Sequence, residues 1–222
     1  MTVPLDQRSP APPAPWRPAS VILCIIALCS FIELSLQAAD HGLIGTVRWR
    51  GLAYQYGAFW SGLLHDWQPN YPAQPWAMFI SYGFLHGGFG HLIGNMLSLW
   101  VLGDIAAKNI TRMSFLIIYV TSAIGGGICF GLLSGSPQPM VGASGALFGL
   151  VGAWQFWRWS ARRRAGRPLQ PIWNTVFWLV IFNALLWAIL GGLLAWETHL
   201  GGFVTGWLCA VSLARLKSGL NG

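Results

Sequence analysis

VGASGALFGLVGAWQFW, residues 141–157, sets one serine among glycines at the mouth of a run long enough to cross a bilayer. A hydrocarbon core about 30 Å thick takes about 20 helical residues, with roughly 17 as the lower end. Further runs of this kind lie at 20–38, 91–107, 114–134, 172–196 and 198–216. Hydrophobic residues make up 55% of the 222, charged residues only 9%, and the mean hydropathy is +0.54, whereas soluble domains carry about 25% charged residues. A water-soluble fold could not hide six such runs. Helices whose backbone groups pair internally can sit in lipid. The fold class expected is therefore an all-α membrane protein, a bundle of six transmembrane helices.

The rest of the chain fits around these spans. Residues 1–19 hold six prolines and two arginines, the composition of a disordered tail. Residues 39–85 include Asp40, Arg48, Arg50, Asp66 and the tryptophans Trp49, Trp60, Trp67 and Trp76, so they are too polar to cross and suit a membrane surface. Residues 217–222 form a short second tail. The net charge of +7 raises the question of nucleic acid, but the cations flank apolar runs and form no stripe interleaved with aromatics, so no nucleic-acid partner is expected.

The cations instead give the orientation. With the N-terminus cytoplasmic, one side collects Arg8, Arg17, Lys108, Arg112, Arg158, Arg162, Arg163, Arg164, Arg167, Arg215 and Lys217, and the other only Arg48 and Arg50. By the positive-inside rule both termini are cytoplasmic. Spans two, four and six then start at the outer face. His91 and Asn95 open the second, Ser144 opens the fourth, and His199 opens the sixth. Polar groups inside a membrane face a protein interior or a wet cavity, so these four share one depth and one reason to meet.

That set has a chemical use. A serine becomes nucleophilic when a base takes its proton, and histidine is the usual base. Gly145, Gly149 and Gly152 after Ser144, and Gly202 and Gly206 on the face of His199, let the two helices approach closely. Phe148, at i+4 from Ser144, is placed to pack on the imidazole. His91 and Asn95, at i and i+4, share a face and can donate to one oxygen, joined by the Ser144 amide at a helix N-terminus.

FLHGGFGHLIGN (84–95), GASG (142–145) and HLGGFVTG (199–206) resemble, in order and in place on spans two, four and six, the rhomboid intramembrane serine proteases. The resemblance covers about residues 20–216. It implies Ser144 as nucleophile and His199 as general base of a dyad, an oxyanion hole from His91, Asn95 and the Ser144 amide, and His86 supporting the first outer loop. It also implies cleavage of transmembrane protein substrates near small residues, without metal or cofactor. Gly103 matches a family glycine late in the second span. The chain departs from the family pattern at Trp76-Ala77, where many members carry Trp-Arg, and at Ala107-Lys108, where an acidic residue is common.

His86 and His91 are five residues apart, with no HExxH and no acidic ligand nearby, so no metal site is expected. Asp104, at the end of the second span, most simply caps the helix or pairs with Lys108. Glu197, two residues before His199, reads as a loop acid because i and i+2 do not face each other on a helix. Glu33 lies in the first span and requires a partner that the sequence does not name. Cys24, Cys29, Cys129 and Cys209 show no ligand spacing and read as buried thiols. The fifth span and residues 193–198 are candidate gates for a substrate helix. A catalytically inactive rhomboid-like protein that binds membrane clients is the alternative function, and a small transporter or channel a second. A bacterial inner membrane is the expected location.

Overall fold

The computed structural model describes residues 19–219, with side chains from 20 to 216. Residues 1–18 and 220–222, within the two expected tails, lie outside the described residues. Residue 19 and residues 217–219, also expected in those tails, continue the first and last helices. Among the described residues there are eight α-helices: α1 Ala19–Asp40, α2 Trp49–Gly57, α3 Gln74–Ser81, α4 Phe89–Ala107, α5 Arg112–Leu133, α6 Ser144–Arg164, α7 Gln170–Ile189 and α8 Trp196–Gly219. Short 3-10 turns occupy Ser61–Leu64 and Tyr82–Phe84.

Four of these helices, α1, α4, α5 and α7, are long and apolar enough to cross a membrane. The chain is thus a multi-pass membrane protein. The other two expected spans, α6 and α8, have the length, 21 and 24 residues, but glycine, serine, histidine and arginine dilute their apolar content. The reason is packing. α5, α6 and α8 form the most extensively packed trio of the molecule, and their contact faces are made of small residues. A Cβ at Gly206 would overlap the Gly149 carbonyl, one at Gly202 the Gly145 carbonyl, and one at Gly152 the Phe203 carbonyl. From α5, Gly126 comes so near α8 that a Cβ there would lie 3.0 Å from the Thr198 carbonyl oxygen. Lipid gives no hydrophobic drive for helix association, so backbone-to-backbone van der Waals contact of this kind carries it. α1 meets α4 differently, through a side chain: Ile22 fills the space beside Gly103.

α7 is different. Ile172 is its one buried residue, and Trp173, Phe177, Trp178, Phe182 and Leu185 all face outward. Polar pegs hold its first turns: Gln155 Nε2 donates to the Ile172 carbonyl (3.4 Å), and Arg158 Nη1 donates to Thr175 Oγ1 (3.2 Å) and Gln155 Oε1 (2.9 Å). The fifth apolar run, expected to reach residue 196, breaks at Ile189. Gly191 and Gly192 take φ of +60° and +86°, which L residues avoid, and Trp196 already belongs to α8.

Between α1 and α4 the expected surface segment folds into α2, α3 and the two turns. Glu33, fully buried on α1, finds its partner here. Arg50 of α2 donates to both Glu33 oxygens (2.9 and 3.1 Å), to Asp40 Oδ2 (2.6 Å) and to the His86 carbonyl (3.2 Å), while Gln37 Nε2 donates to Glu33 (2.9 Å). Burial works against the Arg50 cation, but these bonds outweigh it and hold its pKa above the ordinary value. Two sequence expectations need correction. Of the four cysteines only Cys29 is buried; Cys129 and Cys209 are half-buried, and Cys24 is exposed, because the buried stripe of α1 runs through Ile22, Cys29 and Glu33. Glu197 is no loop acid: it is buried in the first turn of α8, where the helix N-terminus favours negative charge. Lys108 does pair with Asp104, at 2.7 Å.

Candidate active site

Ser144 is the first residue of α6, so its N–H belongs to the turn that has no intrahelical acceptor. The chain reaches it through a loop fixed from outside. Phe59 and Met140 exchange backbone hydrogen bonds (3.0 and 2.9 Å), and the Gly142 N–H donates to the Tyr82 carbonyl (2.9 Å). Tyr82 is itself anchored through its hydroxyl to the Ala123 carbonyl of α5 (2.8 Å). Gly142 has φ of +123°, and a Cβ there would stand 2.6 Å from His91 Cε1, 2.7 Å from His91 Nε2 and 3.8 Å from Asn95 Nδ2. Only glycine serves at this position, and the same contact brings the second span's two polar residues to the loop that delivers Ser144.

The His91 ring has a defined proton. Its Nδ1 accepts from the Gly87 N–H (3.2 Å), which leaves Nε2 as the protonated nitrogen, on the side facing Gly142. Asn95 Nδ2 donates to the His91 carbonyl (2.9 Å) and is buried. His86 packs edge-on against His91, with ring centroids 5.3 Å apart. Its carbonyl takes the Tyr54 hydroxyl (2.7 Å) as well as Arg50. Burial first, and then the neighbouring His91, push the His86 pKa down to about 4, so the ring packed on His91 is neutral at physiological pH.

His199 lies in the first turn of α8, one residue after Thr198, and α8 is seated against α6 at the level of Ser144: a Cβ on Gly145 would be 2.8 Å from Thr198 Cγ2. Phe148 lies flat on the imidazole, centroids 4.1 Å apart and planes 6° from parallel. His199 and Phe148 form part of the wall of an apolar cleft of about 650 Å³ between α7 and the pair α6 and α8, which also includes Leu179, Trp187 and Phe203. Ser144 Oγ makes no hydrogen bond to His199, and among the described residues it has no protein partner. Among the described residues there is also no group of three metal-ligating side chains.

One residue at this site escaped the sequence reading. Asn183, on α7, accepts through Oδ1 a hydrogen bond from His199 Nδ1. Its signal was present: from Val176 to Ile189 it is the one amide in an otherwise apolar helix, and polar groups in a span face an interior partner. The glycine-rich stretch of α5, Gly125 to Gly127, was also passed over, although it receives α8 and the outer-segment rings of Phe59 and Phe79.

Comparison with known proteins gives a consistent result. The rhomboid domain family matches residues 72–216. Rhomboid protease GluP of Bacillus subtilis is 31% identical over 147 residues, 66% of this chain and 28% of that protein. Rhomboid protease GlpG of Yersinia pestis is 26% identical over 190 residues, 85% of this chain and 60% of that protein. RHOMBOID-like protein 5 of Arabidopsis thaliana is 44% identical over 75 residues, 33% of this chain and 24% of that protein. The chain therefore spans between about a quarter and three fifths of the length of these relatives.

Proposed function

Since the chain belongs to the rhomboid family, we propose that it is an intramembrane serine endopeptidase acting on transmembrane segments of other membrane proteins. The observation that supports this reading is the arrangement around three helix starts: Ser144 heads α6, Phe148 one turn on stacks on His199 of α8, and His91 with Asn95 of α4 lies against Gly142, two residues before Ser144. The proposed catalytic domain is residues 20–216, with six spans: the four apolar helices plus α6 and α8 inside them. Both termini are cytoplasmic, the site opens toward the outer face, and the membrane is a bacterial inner membrane.

The chemistry follows from the groups present. His199 takes the Ser144 hydroxyl proton as Oγ attacks the scissile carbonyl, and the oxyanion is met by His91 Nε2–H, Asn95 and the Ser144 amide. The imidazolium then protonates the leaving amine as the peptide bond breaks. Water, entering from the outer side, gives its proton to His199 and hydrolyses the acyl-serine, which regenerates both groups. No metal or cofactor takes part. Gly142, Gly145, Gly202 and Gly206 act by letting the backbones close to the required distance, and α7 with residues 193–198 forms the substrate gate.

The absence of a Ser144–His199 hydrogen bond favours one other reading, a client-binding protein without turnover, although apo active sites commonly tighten only when substrate is bound. One experiment separates the two. Purified protein reconstituted with a model transmembrane substrate should cleave it, and Ser144→Ala and His199→Ala should each abolish cleavage. Cleavage by Ser144→Ala would refute the assignment, and no cleavage by the wild type across a substrate panel would favour client binding.

A further inference from the structure

We propose that Asn183 is a positioning residue for the general base, so that the proton arrangement of His199 depends on where α7 stands. The inference rests on the dyad reading above and extends it by one residue on a helix the dyad does not include.

The amide has one orientation. Asn183 Nδ2 donates to the Leu179 carbonyl one turn back (2.9 Å), which turns Oδ1 toward α8. An amide oxygen only accepts, so the bond with His199 requires the proton on Nδ1. Nε2 is then the unprotonated nitrogen, the form a base needs in order to receive a serine proton. Phe148 restricts the ring's tilt by stacking at 4.1 Å but has no polar atom with which to choose a tautomer. No other polar side chain bonds to His199 among the described residues. Phe148 and Asn183 thus divide the work: one sets the plane of the ring and the other sets its proton.

The location gives the contact a second consequence. α7 is pegged through Gln155 and Arg158 at Ile172 and Thr175, more than two turns before Asn183. Beyond those pegs a cleft of about 650 Å³ separates it from α6 and α8, and Asn183 is the one side chain of α7 that bridges this gap with a hydrogen bond among the described residues. Outward tilting of α7 about its pegged start breaks the Asn183–His199 bond first. The imidazole is then free to carry its proton on either nitrogen, and the base is ready only when α7 lies against the bundle.

The test reads the proton directly. In protein carrying ¹⁵N-histidine, with the His199 signals assigned by loss in His199→Gln, the wild type should show Nδ1 protonated and Nε2 unprotonated at neutral pH. Asn183→Leu should show both tautomers, and its kcat should fall about 10- to 100-fold at unchanged KM, a share of the roughly 10²–10⁴ that a positioned base supplies. Asn183→Asp, which keeps an acceptor oxygen, should restore most of that loss. A wild-type His199 protonated on Nε2 would overturn the proposal, as would an unchanged tautomer in Asn183→Leu, a kcat within twofold of wild type, or a loss carried by KM alone. The tautomer readout needs no turnover. Cleavage that survives Ser144→Ala would therefore sink the dyad, and with it the catalytic part of this inference, while the tautomer set by Asn183 would still be read on its own; an inert Ser144→Ala beside a fully active Asn183→Leu would sink this inference alone.

Discussion

α8 and α7 flank the same histidine and are held in opposite ways. α8 meets α6 and α5 along glycines so close that a single added carbon collides with backbone, while α7 buries one residue and leans on three polar contacts. The difference teaches how a membrane helix bundle can be both precise and accessible. Small-residue contacts place the α8 backbone against Gly145 and Gly149 of α6 with no side chain able to yield, whereas a helix facing lipid on nearly every side can move without exposing apolar surface to water.

The contrast can be broken at its tightest point first. Gly202→Val puts a branched side chain against the Gly145 carbonyl, where relief requires the backbones to part. It should cost about 3 kcal/mol or more, the upper range for overpacking, and abolish cleavage, as read by thermal unfolding and a substrate assay. Retained activity would mean that the α6–α8 contact is softer than its geometry.

Next in size is the Arg50–Glu33 anchor. Arg50→Ala leaves Glu33, 0% exposed, without its cation, and should destabilise by about 3 kcal/mol. Adding Glu33→Gln should recover much of the loss by removing the stranded charge, and a double variant no better than the single would show that the pair is not coupled.

A smaller effect comes from pH. His86 is held near 4 in the folded protein and titrates near 6.5 when unfolded. The unfolded chain therefore binds the extra proton between these values, and stability is lost as pH falls through that window. Between pH 7 and pH 5 the loss attributable to His86 is about 2 kcal/mol. Unfolding midpoints of wild type and His86→Asn should converge as the pH is lowered, and parallel curves would contradict this account.

The smallest effect belongs to α7. Leu185→Ala, at a position 56% exposed, should change stability by less than about 0.5 kcal/mol, whereas Leu150→Ala in α6, 2% exposed, should cost about 2 kcal/mol or more. Equal costs would erase the distinction between the two helices.

Much of this arrangement was legible in the sequence, for identifiable reasons. Glycines at i+3 and i+7 from His199 announce a close-packed face, and a serine at the entrance of an apolar run announces a helix start facing an interior. Asn95 at i+4 from His91 follows from helical periodicity alone. The rest depended on tertiary position. Glu33 declared its need for a cation but not which one, because Arg50 reaches it from a helix 17 residues away in an amphipathic surface segment. Asn183 resembled any solitary amide in a span until the fold set it against His199. The end of α7 was misplaced by seven residues because Leu193, Leu194 and Ala195 are as apolar as a span, while the turn that interrupts them rests on two adjacent glycines.

The most direct measurement is the site of covalent capture. Protein treated with a fluorophosphonate in detergent and analysed by peptide mass spectrometry should carry one adduct, on Ser144, and should carry none when His199 is replaced by alanine. An adduct on any other serine, or an unmodified Ser144 in protein that cleaves its substrate, would contradict the claim that the hydroxyl at the head of α6 is activated by the imidazole at the head of α8.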